Sequence, residues 1–536
     1  MLMGSTLLAL VLALPQSGSL SVEPPAPHGT PRRAAVPVAW EHGVHLPVTL
    51  TEQRPELQAL FDLGLAQVQL GAYLDAERSF RGVLRSDPDC AMALWGLALA
   101  NPHQPARAAW YARAGWLGRG LAGPLERVLL DGLAEAWNVA GPDERPSLVE
   151  PRSPEPGEET ELAVGTWPAF GPGGAKRWSD ALRAASQRFT LERELLALLV
   201  DHEARSHERG WLELDDAQGT LLSEAIARAF GEEHEHPVHR RGVYPWDAQH
   251  SGRAKAQAND TESVWDVAPW PSAELPREFG ELLATKRRSE AAERLARSLH
   301  RDVEYARRNW LHPSDVPGFS LRARALDDVL VALKDHSRLA GHRRQLAELP
   351  RRPPWAYPQA SALSAEDVHS SEQIAVASPG WTWTPPDAVD FSLEDVNGEK
   401  HSLRDHRGHP VLVVHFLGLG CVHCVEQLQA LRPWAEQFAE AGIRILAVGL
   451  QTPAELSETL RPAGEEGAYP FPLLADPRLD TFHQWRAFDD FAELPLHGTY
   501  LVDGEGRVLW IDVSHLPFMD VEGLLEECRR LLGRSR

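Results

Sequence analysis

The chain has 536 residues, of which 43% are hydrophobic and 24% are charged. This length exceeds what one hydrophobic core usually organises, so we expect several domains. The formal net charge is −22, from 54 basic and 76 acidic residues. An acidic chain of this kind is poorly suited to a phosphate backbone, which argues against nucleic acid as a partner.

The N-terminus contains a short apolar segment, residues 7–14, followed by small residues and a Pro-rich stretch. About eight residues are too few to span a bilayer, but they match the apolar region of a signal peptide. We therefore predict a signal peptide over residues 1–22, export to the periplasm or the medium, and no stable membrane span. Because no Lys or Arg precedes the apolar segment, a cytoplasmic protein with an apolar tail is the alternative.

A Pro-rich leader, residues 23–50, precedes a region with helical periodicity. The stretch LFDLGLAQVQLGAYLDAERSFRGVLRSDP carries small residues, an aromatic residue and a closing proline at the spacing of a tetratricopeptide repeat: Leu63, Gly64, Gly71, Ala76, Phe80 and Pro88. Small residues let two helices approach closely, and Phe80 fills the groove between them. We predict tetratricopeptide-like repeats over residues 51–140 that bind a protein or peptide partner.

The remaining chain divides at two loop-like stretches. Residues 141–177 are rich in Pro and Gly and are predicted to be a linker. A second helical region follows over residues 178–346, and a second Pro-rich linker over residues 347–384. Residues 385–536 alternate strand and helix patterns. The predicted fold class is therefore multidomain, with an all-α tetratricopeptide-like N-terminal part and an α/β domain at the C-terminus.

A histidine cluster lies in the second helical region. His234, His236 and His239 have a spacing that supplies imidazole ligands from a loop, and His202, His207 and His250 are near in sequence. Acidic neighbours and two adjacent arginines indicate an exposed loop instead, and 23 histidines in the chain make a chance cluster unsurprising. We predict no metal site and no cofactor.

The C-terminal 150 or so residues present their elements in a recognisable order. A hairpin turning at Asn397-Gly398 precedes the apolar strand VLVVHF, and a helix begins near Cys421. The strand IRILAVGL, a hairpin at residues 504–506 and the amphipathic helix VEGLLEECRRLL follow. Strand, helix with a Cys-x-x-Cys start, strand, hairpin and helix is the order of a thioredoxin fold.

The pair Cys421 and Cys424 is the candidate redox-active disulfide. Unpaired backbone N–H groups and the dipole at a helix N-terminus favour the thiolate, so Cys421 is expected to attack and Cys424 to resolve the mixed disulfide. His423 is predicted to lower the thiol pKa further. A structural zinc site is disfavoured because it needs four ligands and the chain has no second Cys-x-x-Cys. The other cysteines, Cys90 and Cys528, are predicted to be buried and inert.

The segments PDAVDFSLEDVNGEKHSLRDHRGHPVLVVHFLGLGCVHCVEQL, FPLLADP and HGTYLVDGEGRV resemble, in the right order, those of the alkyl hydroperoxide reductase/thiol-specific antioxidant (AhpC/TSA, redoxin) family. The resemblance implies a thioredoxin fold, antioxidant activity, and thiol-based reduction of a peroxide or a protein disulfide. The whole chain is similar to bacterial proteins that join a tetratricopeptide-type region to a C-terminal redoxin domain.

The sequence departs from the family at specific positions. Peroxiredoxins have a Thr or Ser and a Pro where this chain has Gly418 and Val414, and thioredoxins have a Trp where it has Gly420. His497 stands where peroxiredoxins carry an Arg and thioredoxins a cis-proline, and Pro495 lies two residues away. Pro495 and His497 are therefore predicted to support the dithiol, in a shell that is incomplete for either subfamily.

We predict an exported thiol-disulfide oxidoreductase of redoxin type that uses Cys421 and Cys424 with an unknown thiol electron donor or client. One alternative is a non-catalytic tetratricopeptide scaffold with a vestigial redoxin domain. The other is a peroxiredoxin-like peroxidase, against which Gly418 and Val414 argue.

Overall fold

The computed structural model describes residues 44–141, 171–208, 286–351, 377–460, 469–490 and 493–533, apart from residues 53, 103, 191 and 317, together with residues 212 and 282. The predicted signal peptide, most of the two predicted linkers and the cluster His234, His236 and His239 lie outside the described residues, as does His250. The chain forms two compact units. The described elements up to residue 208 belong to the first unit, and those from residue 288 onward belong to the second.

The first unit is helical, as the sequence predicts. Its described helices are α1 (Pro55–Gln69), α2 (Tyr73–Ser86), α3 (Ala91–Leu99), α4 (Pro105–Gly118), α5 (Pro124–Ala136), α6 (Gly171–Arg188) and α7 (Arg193–Glu208). Proline begins α1, α4 and α5, where its missing N–H would have no helical partner in any case. Among the described residues, no helix is both long and apolar enough to cross a membrane.

Phe80 of α2 is fully buried against two glycines of neighbouring helices. A Cβ atom added to Gly64 would lie 2.9 Å from the Phe80 ring, and one added to Gly96 would lie closer still. Phe61 packs against the edge of the same ring, with the centroids 5.4 Å apart. The small residues thus let the helices close around Phe80. The assignment of these helices to tetratricopeptide repeats stays a prediction.

The second unit begins with three helices, α8 (Arg288–Asn309), α9 (Phe319–Leu333) and α10 (His336–Glu348). A buried ion pair joins the first two, with Nε of Arg322 2.7 Å from Oδ2 of Asp302. Trp310 caps α8 in a left-handed conformation. Its indole packs on the C-terminal α/β domain, 5.5 Å from the ring of Trp485 and 6.2 Å from that of Tyr500. Trp310, at the end of α8, therefore belongs to a core of the α/β domain.

The α/β domain contains a mixed sheet of seven described strands: β1 (Ser392–Asp395), β2 (Lys400–Ser402), β3 (Val411–Phe416), β4 (Arg444–Gly449), β5 (Leu473–Ala475), β8 (His497–Val502) and β9 (Val508–Ser514). Two short strands, β6 (Phe488–Asp489) and β7 (Leu494–Pro495), pair separately. The order in the large sheet is β2-β1-β5-β4-β3-β8-β9, with β3 parallel to β4 and antiparallel to β8. The helices are α11 (Val422–Leu431), α12 (Ala435–Glu440), α13 (Pro453–Leu460), α14 (Asp480–Gln484) and α15 (Val521–Gly533).

The sheet is apolar on both faces, which explains why β3 reads as a continuous hydrophobic run. Leu412, Val414 and Phe416 point into a core with α11 and α15, whereas Val411 and Val413 point into a core with Trp310, Trp485 and Tyr500. This alternation is the two-residue period of a strand. The predicted thioredoxin-like architecture is confirmed.

The predicted hairpin at Asn397-Gly398 occurs where the sequence places it. Gly398 has φ +79° in the β1–β2 hairpin, and Gly442, with φ +76°, follows α12. Pro433 lies in a 3-10 turn, Arg432–Trp434, between α11 and α12. These glycines adopt the left-handed conformation that side chains with a Cβ disfavour.

Candidate functional site

Cys421 is the N-cap residue of α11, at the end of the loop that leaves β3. Its side chain is half-buried, and Sγ accepts the backbone N–H of Cys424 at 3.4 Å. The N-terminus of a helix presents unpaired N–H groups and the positive end of the dipole, both of which stabilise a thiolate. Cys421 therefore has the position of an attacking thiol.

Cys424 lies one turn inside the helix and is fully buried. Its Sγ accepts the backbone N–H of Leu417 at 3.1 Å. Burial raises the pKa of the Cys424 thiol, and the neighbouring Cys421 raises it further. Both thiols are reduced in the structure. The pair thus consists of one accessible and one protected sulfur, as thiol-disulfide exchange requires.

His497 joins the two cysteines. Its Nε2 atom lies 3.2 Å from Sγ of Cys424 and 4.0 Å from Sγ of Cys421. Burial lowers the pKa of His497 to about 4, with backbone groups of His515 and Ser514 opposing this effect in part. The ring is therefore neutral at pH 7, and a neutral imidazole has one nitrogen free to accept a proton.

The sheet register explains this contact. Strand β8 is antiparallel to β3 and pairs Gly498 with His415, near the end of β3. The first residue of β8, His497, therefore lies beside the loop that carries the chain from β3 to Cys421. The sequence alignment marked His497 as a supporting residue, but the contact with the thiols comes from the register of these strands.

His423 and Pro495, the other two predicted supporting residues, are not in this cluster. The His423 side chain is 63% exposed, and Nδ1 lies 3.2 Å from Oε2 of Glu426 one turn along the same helix. Pro495 pairs with Phe488 in the small two-stranded sheet. Every peptide bond in the part of the chain that the structure describes is trans, so Pro495 lacks the cis geometry of the thioredoxin proline.

The loop before Cys421 is shaped by Gly418 and Gln451. Gly418 has φ +90°, and a Cβ atom there would lie 3.2 Å from Oε1 of Gln451. The same oxygen accepts the N–H of Leu419 at 2.6 Å. A Thr or Ser at position 418 would be strained in this backbone, so the loop differs from that of a peroxiredoxin.

Sequence reasoning missed Gln451 and Gln427. Gln451 follows β4, and since β4 is parallel to β3, its carboxyl end lies at the same sheet edge as Cys421. Gln427 is buried in α11 and donates to Oγ1 of Thr499 at 3.2 Å and to the carbonyl of Phe518 at 3.1 Å, which fixes the helix over β8. A polar residue on the apolar face of α11 is the signal that would have identified Gln427.

Comparison with known proteins identifies the family that the C-terminal domain resembles. The model of the AhpC/TSA family matches residues 386–511. The C-terminal domain is an AhpC/TSA redoxin domain. The match leaves the helical region outside the family, and the tetratricopeptide assignment of that region stays a prediction.

The individual relatives include thiol-disulfide oxidoreductases, a thioredoxin-like protein and peroxiredoxins. The thiol-disulfide oxidoreductase ResA of Geobacillus kaustophilus is 28% identical over 142 residues, covering 26% of this chain and 76% of that protein. The thioredoxin-like protein YneN of Bacillus subtilis is 25% identical over 139 residues, covering 26% and 76%. Chloroplastic peroxiredoxin Q of Oryza sativa subsp. japonica is 30% identical over 125 residues, covering 23% and 56%.

Among solved structures, peroxidoxin BcpB of Mycobacterium tuberculosis aligns with 28% of this chain and 97% of its own, at 20% identity and a TM-score of 0.25. The enzyme class predicted from the sequence, a redoxin-type thiol-disulfide oxidoreductase, is the class to which the ResA relatives belong.

Proposed function

We propose that this protein is an exported thiol-disulfide oxidoreductase that uses Cys421 and Cys424. The observation that carries the proposal is the asymmetric pair at the start of α11, in which Cys421 is half-buried at the N-cap and Cys424 is fully buried behind it. An attacking sulfur must reach a client, whereas a resolving sulfur must reach only its neighbour.

In the reducing direction, the Cys421 thiolate attacks one sulfur of a client disulfide. The client S–S bond breaks, a mixed disulfide forms, and the first client thiolate leaves. Cys424, once deprotonated, then attacks Sγ of Cys421 and releases the second client thiolate. Two electrons pass to the client, and the Cys421–Cys424 disulfide is the oxidised product. The same steps in reverse oxidise a client dithiol.

His497 is suited to assist the second step. The thiol of Cys424 must lose a proton before it attacks, and its burial opposes ionisation. The neutral Nε2 atom of His497 lies 3.2 Å away, within reach of that proton. We assign His497 the role of a general base toward Cys424, in place of the Arg or proline that other redoxins carry there.

Peroxide reduction is the weaker assignment. The residue at position 418 has the conformation of a glycine, with φ +90°. Glycine lacks the hydroxyl group of the Thr or Ser that peroxiredoxins carry at this position. A Thr or Ser side chain would also be strained in this backbone conformation.

The helical region and the export signal complete the proposal. Residues 51–140 are assigned the binding of a protein partner or client, on the basis of the tetratricopeptide-like spacing of their sequence. Export is supported by the apolar segment at residues 7–14. The alternative is a scaffold protein with an inactive redoxin domain. The following experiment distinguishes that role from the oxidoreductase.

The test equilibrates the full chain with glutathione redox buffers and quantifies the Cys421–Cys424 disulfide by mass spectrometry. We expect one reversible disulfide with a defined potential. Cys424→Ser should accumulate a mixed disulfide through Cys421, and the control Cys90→Ser should behave as wild type. If no Cys421–Cys424 disulfide forms at any buffer ratio, the oxidoreductase proposal fails and the scaffold role takes its place.

A further inference from the structure

The arrangement of Cys421, Cys424 and His497 suits a metal ion as well as disulfide exchange. Their two Sγ atoms and a ring nitrogen all lie within 4.8 Å of one another. Thiolate and imidazole are the ligands that Zn²⁺ prefers, and catalytic zinc sites use three protein ligands with a fourth position open. The sequence argued against a structural zinc site because such a site needs four ligands and the chain has no second Cys-x-x-Cys, whereas the structure adds His497 as a third ligand atom.

The distances fit one ion. With Zn–S of about 2.3 Å and Zn–N of about 2.05 Å at tetrahedral angles, the sulfur and nitrogen ligands lie about 3.6 Å apart. The observed Nε2 to Sγ distances are 3.2 Å for Cys424 and 4.0 Å for Cys421, on either side of that value. Shifts of a few tenths of an ångström would bring both nitrogen–sulfur distances to that value.

We propose that reduced Cys421, Cys424 and His497 bind a Zn²⁺ ion, with its fourth position open on the side of the partly exposed Cys421. Zn²⁺ replaces one proton on each thiol, so two protons leave and the neutral imidazole coordinates through Nε2. The charges of two thiolates and one divalent ion cancel. This cancellation suits a site in which Cys424 and His497 are both buried.

Protein groups already hold the ligands in place. Leu417 donates its N–H to Sγ of Cys424, and Cys424 donates its own N–H to Sγ of Cys421. Hydrogen bonds of this kind orient sulfur ligands and stabilise thiolates, so the two cysteines need little rearrangement on binding. Backbone groups of Ser514 and His515 lie close to the His497 ring, but its buried Nδ1 atom has no hydrogen-bond partner among the described residues.

Metal binding and disulfide formation exclude each other, because both use the two Sγ atoms. Bound Zn²⁺ would protect the reduced dithiol, and oxidation to the disulfide would release the ion. The dithiol would then couple metal occupancy to the redox state of its surroundings. Zinc binding itself does not depend on the disulfide exchange proposed above.

The experiment titrates the reduced full chain, without oxygen, with Zn²⁺ against a chromogenic chelator. We expect one Zn²⁺ per chain, and slower alkylation of Cys421 when it is bound. His497→Gln should weaken binding by at least about 100-fold, since the loss of outer-shell partners alone costs 10–100-fold. His423→Gln is the matched control, and its affinity should equal that of wild type because His423 pairs with Glu426 instead.

Several outcomes overturn the zinc site. They are no Zn²⁺ binding by wild type, binding of Cu(I) but not Zn²⁺, wild-type affinity in His497→Gln, or a loss in His423→Gln. His497→Gln retains both thiols, so protection of the buried Cys424 from alkylation in that variant shows that its site is folded. Reversible disulfide formation without Zn²⁺ binding defeats only the zinc site, and Zn²⁺ binding without a disulfide defeats only the oxidoreductase.

Discussion

Nε2 of His497 lies 3.2 Å from Sγ of Cys424, although 73 positions separate the two residues in the chain. The contact gives the buried thiol a neutral proton acceptor in a position where thioredoxins have a proline. It also places a third metal-binding atom beside the dithiol. The contact therefore bears on two proposed roles of His497, the deprotonation of Cys424 and the binding of Zn²⁺.

The accessibility of the cysteines predicts selective alkylation. Cys421 should react with iodoacetamide in the native protein, whereas Cys424, Cys90 and Cys528 should be protected. Burial raises the pKa of all three protected thiols, that of Cys90 to about 12. Each unit of pKa lowers the thiolate fraction about tenfold, so we expect these thiols to react at least about 100-fold more slowly.

Peptide mapping by mass spectrometry measures the four rates separately. Labelling in urea provides the control, since all four cysteines should then react alike. Equal native rates for Cys421 and Cys424 would contradict the division into an attacking and a resolving thiol.

Three buried histidines predict a loss of stability in acid. Burial lowers the pKa of His415 to about 3 and those of His342 and His497 to about 4, below the ordinary 6.5. The unfolded chain therefore binds protons between these values that the folded chain does not. Stability is complete above pH 6.5 and falls as the pH falls toward 4, by about 1.4 kcal/mol per pH unit for each group.

His415→Phe tests the contribution of one group. The free energy of unfolding lost between pH 7 and pH 5 should shrink by about 2 kcal/mol relative to wild type. Urea denaturation at both pH values measures it, and replacement of the exposed His409 by Ala should leave the loss unchanged. An identical loss in His415→Phe and wild type would contradict a neutral buried His415.

The packing of Phe80 against Gly96 predicts that an alanine at position 96 lowers the stability of the protein. Gly→Ala in a helix usually stabilises by about 1 kcal/mol. At Gly96 the added methyl group meets the Phe80 ring, so we expect Gly96→Ala to destabilise by about 1–3 kcal/mol. Chemical denaturation measures the change.

Gly173→Ala in α6 is the matched control, because its new methyl group has only an ordinary contact, 3.6 Å from Arg177. It should be neutral or stabilising. If Gly96→Ala stabilises as well, the helices around Phe80 are packed less closely than the structure shows.

Trp310 predicts coupling between α8 and the redoxin domain. Its indole completes the core on one face of the sheet, next to Trp485 and Tyr500. Trp310→Ala should cost about 3–5 kcal/mol of stability through the cavity it leaves. Replacement of the half-buried Trp116 of the first unit by Ala is the control, and it should lower the free energy of unfolding by less. Urea denaturation measures the free energy of unfolding. A small change for Trp310→Ala would show that α8 contributes little to this core.

Local signals in the sequence were sufficient for much of the redoxin domain. The hairpin at Asn397-Gly398, the buried strand β3, the helix start at Cys421 and the turn at residues 504–506 all depend on residues close together in the chain. Turn propensity, a continuous apolar run and an N-cap position act over a few residues, so they are visible without the fold. The burial of Cys528 followed from the apolar helical stripe it shares with Leu524, Leu525 and Leu531, and Cys90 is buried as predicted as well.

The tertiary structure decided which distant residues meet. The antiparallel register of β3 and β8 brings His497 to the dithiol, and the parallel register of β3 and β4 brings Gln451 to the loop at Gly418. The packing of Trp310 against Trp485 likewise joins elements that are far apart in sequence. By itself the sequence determined the order of the elements and the place of the dithiol. Strand register and core packing determined its surroundings, because such contacts arise from the burial of whole faces and leave no periodic trace in a single chain.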